Sequence, residues 1–119
     1  MSDNKRTVER YMDGFRHTDR SKILSCLTED VEWEIPGFFS ARGRAEFESH
    51  IVDEGFTGSP VIDVIRLVEE NDVVVAEGTV RANRTDGTAV NLVFCDVFDM
   101  RLGKIRRLVS YLVVAASSR

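Results

Sequence analysis

Proline and cysteine are scarce in this chain of 119 residues, two of each, and histidine is equally rare. Two prolines leave no stretch of the kind that forms a stiff linker or an unfolded tail. Cys26 and Cys95 are too few for a disulfide framework and lack metal-type spacing, so both read as core filling in apolar surroundings. No phosphate-binding glycine loop, nucleophile elbow or zinc pattern occurs, and no cofactor or metal is expected. Basic runs are missing too. With a net charge of -4 and a pI near 5.2, the composition argues against a nucleic-acid surface. The densest basic group, Arg101, Lys104, Arg106 and Arg107, flanks a turn and reads as a solvated rim or a dimer contact. No apolar run is long enough to span a bilayer, and the charged start Met1 to Arg6 holds no leader core, so no membrane partner and a cytoplasmic location are expected.

What is present suits one domain, since a chain of this length fills a single core and is too short for two. Val8, Tyr11, Met12 and Phe15 recur at helical spacing and predict an amphipathic helix over residues 7–17. Asp19 caps a second helix reaching Leu27, with Ile23, Leu24 and Leu27 facing inward. Residues 31–35 alternate as a strand stopped by Pro36-Gly37, with Trp33 and Ile35 on its buried face and Glu32 and Glu34 on the other. An irregular link leads to a third helix over residues 44–54, in which Phe47, His50 and Ile51 lie together. Beyond Gly58 the chain reads as almost continuous strand, 61–69, 73–84, 90–100 and 105–115, turning at Glu70-Asn71-Asp72, Asp86-Gly87 and Leu102-Gly103-Lys104. Helices first and then an antiparallel meander make an α+β domain whose helices cover one face of a curved sheet. Several strands are apolar on both faces. A homodimer packed sheet to sheet is the simplest cover for the second face.

One stretch stands out. In Val90 to Met100, Leu92, Phe94, Asp96 and Phe98 share a face, while Val93, Cys95 and Val97 share the other. Asp96 therefore lies in an apolar row, where a carboxyl must be paired, hydrogen-bonded or kept protonated. It is either a candidate for chemistry or a structural acid tied to a hydroxyl or backbone amide. Tyr11, in the apolar stripe of the first helix, needs a polar partner for its hydroxyl. His50, on or beside an apolar face, is read either as a boundary histidine or as a proton carrier.

The segments Glu29-Asp30-Val31-Glu32-Trp33-Glu34-Ile35-Pro36-Gly37, Gly43-Arg44, Thr85-Asp86-Gly87-Thr88, Cys95-Asp96-Val97-Phe98 and Leu102-Gly103-Lys104-Ile105, in this order and spacing, resemble the SnoaL-like group of the nuclear-transport-factor-2-like superfamily. That group includes ketosteroid isomerases, polyketide cyclases and limonene-epoxide hydrolases. The resemblance covers nearly the whole chain. It implies a cone-shaped, strongly bent sheet closed by three N-terminal helices around an apolar pocket, usually as a dimer. It also places Tyr11 where ketosteroid isomerases keep their oxyanion-binding tyrosine, and Asp96 where they hold a protonated acid. Their proton-shuttling aspartate, however, falls at Ile35; Glu34 is adjacent, but strand alternation directs it away unless a bulge intervenes. The epoxide-hydrolase positions hold Gly78, Val80 and Ser110, and the polyketide-cyclase acid falls near Ser110 after Leu108-Val109, so neither mechanism transfers.

These residues lead to an expected isomerase or lyase acting on a small hydrophobic carbonyl compound. Asp96 and Tyr11 would donate hydrogen bonds, His50 or Glu34 would move the proton, and Trp33, Phe15, Phe94, Phe98 and Ile35 would line the pocket. The alternative is a non-catalytic small-molecule-binding or dimerisation domain, since every recognised base is missing.

Overall fold

The computed structural model describes residues 2–115. Three helices, α1 (Asp3–Arg16), α2 (Arg20–Leu24) and α3 (Gly43–Ser49), accompany six strands: β1 (Leu27–Ile35), β2 (Phe39–Arg42), β3 (Phe56–Glu70), β4 (Val73–Arg84), β5 (Ala89–Arg101) and β6 (Lys104–Val114). The strands form one sheet in the order β2-β1-β6-β5-β4-β3. The expected meander is β3 to β6, antiparallel throughout. The sheet as a whole is mixed, because β1 runs parallel to β6, with Trp33 opposite Leu108. It curves without closing into a barrel, the open cone of the expected α+β class.

The element ends differ from the pattern for local reasons. Helix α1 starts at Asp3 because the Ser2 hydroxyl accepts from the Lys5 amide, an N-cap outside the apolar stripe. Helix α2 stops at Leu24 because Cys26 and Leu27 are taken by the sheet: the Ile105 amide donates to the Cys26 carbonyl, and Leu27 lies opposite Ile105. Helix α3 ends at Ser49, where the β-branched pair Ile51-Val52 follows and the Asp53 carboxylate captures the Gly55 amide in a local turn. The link after Pro36 is itself a hairpin, Ile35 opposite Phe39.

Inward residues of the sheet pack on the helices, with Val8, Ile23, Leu27, Phe47, Val74, Phe98, Ile105 and Leu108 inaccessible to solvent. Gly14 allows α2 to approach α1, since a Cβ there would lie 2.7 Å from Ile23 Cγ1. The turn between β5 and β6 holds Leu102 and Gly103 at positive φ, and the Thr7 hydroxyl donates to the Gly103 carbonyl, tying α1 to that turn. The basic cluster beside that turn faces carboxylates. Arg101 pairs with Asp30, Arg106 with Glu32, and Arg107 with Glu34 and Asp99. Among the described residues no helix is long and apolar enough to cross a membrane.

Candidate functional site

Strand alternation on β5 turns Leu92, Phe94, Asp96 and Phe98 inward, and the register of β6 sets Ser110 directly across from Asp96. Helix α1 lies over them and contributes Tyr11, Met12 and Phe15. Together with Trp33 and Ile35 of β1, Pro60 and Ile62 of β3, Val80 of β4 and Leu112 of β6, these side chains line an open hollow of about 170 Å³. Its walls are apolar apart from Tyr11, Asp96, Ser110 and the indole N–H of Trp33.

Asp96 is 7% exposed, and burial pushes its carboxyl up to about 7, although a hydrogen bond from the Ser110 hydroxyl pulls in the opposite direction. Ser110 is itself held: its oxygen accepts from Trp33 Nε1 at 3.1 Å, which leaves its proton free for Asp96. The polar chain thus runs from Trp33 through Ser110 to Asp96. Tyr11 is 3% exposed, and its phenol is raised well above its ordinary value, first by burial and then by the nearby Asp96 charge. It stays protonated and can only donate or accept a hydrogen bond. Aromatic packing fixes its ring, with Phe15 at 5.0 Å, Phe98 at 5.4 Å and Phe47 at 6.2 Å between centroids. Trp33 is fixed likewise, stacked on Phe47 at 4.4 Å and edge-on to Phe39 at 5.0 Å.

Of the residues singled out in the sequence, Tyr11, Phe15, Trp33, Ile35, Phe94 and Asp96 meet at this hollow, and three do not. Glu34 points to the opposite side of the sheet, 3.8 Å from Arg107, because the only register shift between β1 and β6 falls between Leu27 and Glu32, before it. His50 caps the C-terminus of α3 rather than continuing its inner face, and its exposed ring stacks flat on Phe39, 3.9 Å and 8° apart. Phe98 is fully buried behind Tyr11 and supports it instead of lining the hollow. Ser110 is the polar residue that reading for acids and bases passed over. Its signal was present, a hydroxyl between Leu108 and Leu112 on the inward side of the last strand.

A second hollow of about 220 Å³ lies between α1, the segment after α3, and the start of β3. Phe15 and Pro60 belong to the walls of both. Its rim is held by the hydroxyls of Thr18 and Ser59, 2.6 Å apart, and by Arg16 donating to the Ile62 carbonyl. A wider groove between α1 and β3, about 630 Å³, is lined by Arg6, Glu9, Asp13, Arg16 and Lys22 and carries the Lys22–Asp13 ion pair; it encloses no buried ionisable group and is a solvated surface. Among the described residues no three His, Cys, Asp or Glu side chains cluster as a metal site.

An open cone with an acid and a phenol at its inner wall is the architecture that the sequence resemblance implies, and the SnoaL-like domain model matches residues 8–108. The chain belongs to the SnoaL-like family. Solved structures agree with this assignment. TerC, crystallised with polyporic acid, is 29% identical to this SnoaL-like protein over 92% of this chain and 90% of TerC, with a TM-score of 0.83. An NTF2-like protein of unknown function from Burkholderia pseudomallei is 21% identical over 95% of this chain and 92% of its own, with a TM-score of 0.86. An epoxide hydrolase of the limonene-epoxide-hydrolase-like kind from Mycobacterium tuberculosis is 20% identical over 93% and 83%, with a TM-score of 0.82. The last two share the fold. No curated protein sequence matches the chain.

Proposed function

We propose that this SnoaL-like protein binds a small, mostly apolar carbonyl compound between Tyr11 and Asp96 and moves a proton on it, as an isomerase or lyase. The observation that carries this reading is a carboxyl poised near neutrality, about 7, at the wall of an apolar hollow that it shares with a protonated phenol. A carboxylic acid in that range holds both protonation states in comparable amounts at neutral pH, which suits it to take a proton and return it.

Because Glu34 and His50 lie elsewhere, Asp96 is the base in this reading rather than a permanently protonated donor. Its carboxylate removes a proton from the carbon next to the carbonyl, and the freed electron pair moves onto the carbonyl oxygen as an enolate. Tyr11 donates its O–H to that oxygen. Asp96, now neutral, returns the proton to a different carbon, which isomerises the compound, or to a leaving hydroxyl that departs as water. Ser110, oriented by Trp33, steadies the carboxylate between the two steps. The polyporic acid in TerC supports an organic ligand of this general kind here.

Turnover of a β,γ-unsaturated ketone such as cyclohex-3-enone, followed by the absorbance of the conjugated product, tests the reading. Asp96→Asn should slow it by about a hundredfold to ten-thousandfold, and Tyr11→Phe by about a hundredfold. One observation favours a non-catalytic binding pocket instead: the hollow holds a single ionisable acid and no second proton carrier. Bound ligand recovered unchanged, with wild type and Asp96→Asn alike, would establish that alternative.

The expected partner is a second copy of the chain, joined through the outer face of the sheet, and the expected place of action is the cytoplasm. Val68, Val75, Val97 and Val109 lie in one cross-strand row of that face, Arg66, Glu77, Cys95 and Tyr111 in the next, and Asp63, Thr79, Val93 and Val113 in the third.

A further inference from the structure

The inner hollow is small. Apolar cavities on the order of 150 Å³ hold one benzene ring, so about 170 Å³ admits a single six-membered ring with its oxygen and little more. The outer hollow is larger, about 220 Å³, and its walls include Phe15, Ile51, Val52, Phe56, Pro60 and Ala82. The two share Phe15 and Pro60 as a common boundary, and the outer one has the exposed residues Val52, Asp53 and Thr57 in its wall. Asp53 is the one charged side chain on the outer wall among the described residues, and its carboxylate is already engaged by the Gly55 amide. That wall offers apolar surface, two threonine hydroxyls and a negative charge, while the Arg16 guanidinium at its rim is engaged by the Ile62 carbonyl.

We infer that the ligand is a two-part molecule: one carbonyl-bearing ring in the inner hollow, joined past Phe15 and Pro60 to a second, uncharged apolar ring or chain of similar size in the outer hollow. This deepens the proposed function and rests on it. A compact multi-ring skeleton does not fit the inner hollow, and a molecule with a carboxylate at its far end meets Asp53. Selection therefore resides in the outer hollow, at Ala82 and Thr57 as well as Phe15, while chemistry resides at Asp96 and Tyr11.

Phenol and 4-phenylphenol, neutral mimics of a one-ring and a two-part enol, provide the test, with binding measured by titration calorimetry. Wild type should bind 4-phenylphenol about tenfold or more tightly than phenol, because a second ring leaves water. 4-Carboxybiphenyl-4'-ol should lose that advantage. Ala82→Trp, which fills the outer hollow from β4, should bring the ratio of the two affinities toward one. Thr57→Trp, at an exposed rim position, serves the same purpose should the Ala82 variant fail to fold. If phenol binds but the wild-type ratio is near one, or if the ratio survives in the filled variants, the two-part ligand is wrong and the proton-transfer site stands. If neither phenol binds, the pocket reading fails and this inference fails with it.

Discussion

Asp96 faces Ser110 across two strands, and burial outweighs the pull of that hydroxyl, so the carboxyl keeps its proton in the folded chain from its ordinary value of 3.8 up to about 7. In that window the unfolded chain has released the proton and the folded chain has not. The Asp96 contribution to stability is therefore fully present below pH ~4, falls by at most about 1.4 kcal/mol per pH unit as pH rises, and levels off above the folded value. Asp96→Asn, which cannot ionise, should show no such fall, so its stability relative to wild type should rise between pH ~4 and ~7 in urea titrations and then stay constant. If Asp96 is the base, kcat/KM should climb with pH to half its maximum near 7. Ser110→Ala removes the hydrogen bond that lowers the carboxyl, so the midpoint of that profile should move to higher pH. A Ser110 that merely filled space would leave the midpoint where it was.

Strand β4 shows how an element makes room for the site. Gly78 lies inward between Ala76 and Val80, and a Cβ there would sit 2.1 Å from the Asp63 carbonyl oxygen and 2.8 Å from the Phe94 ring. The register of β3 shifts beside it, between Val64 and Arg66. The glycine thus lets β3 bend across β4 and lets Phe94 lie flat against the strand, where it forms part of the inner wall. Gly78→Ala should cost about 1–3 kcal/mol through overpacking, read as a lower urea midpoint with an unchanged slope. The same position is where an epoxide-hydrolase pattern would need a polar side chain, and no side chain fits.

At the scale of the molecule, the outer face of the sheet carries exposed apolar side chains beside the Arg66–Glu77 ion pair. Tyr111 is 50% exposed and Val113 is 65%, and both are paired with β5, opposite Cys95 and Val93. Exposed apolar patches of this kind usually mark an interface, and a two-fold pairing presents each patch to its own copy. Sedimentation at micromolar concentration should give a dimer, and Tyr111→Glu, which places a charge at the centre of the face, should give a folded monomer. A wild-type monomer would refute the pairing and leave the inner hollow untouched.

Local spacing was enough to read the α1 stripe, the inward set of β5 and the hairpin turns, because side-chain direction follows from helix and strand periods that span a few residues. It also placed Tyr11 and Asp96 among apolar neighbours, and it already directed Glu34 outward. Whether His50 reaches a hollow depended on where α3 ends, which a turn at Asp53 set, and on Phe39 of the β1–β2 hairpin, on which its ring stacks. The parallel seam of β1 and β6 and the pairing of Asp96 with Ser110 join residues far apart in the chain. Such contacts depend on how a bent sheet closes over its helices. No short-range pattern encodes that closure, so only the folded chain could bring one acid, one phenol and one serine to a common wall.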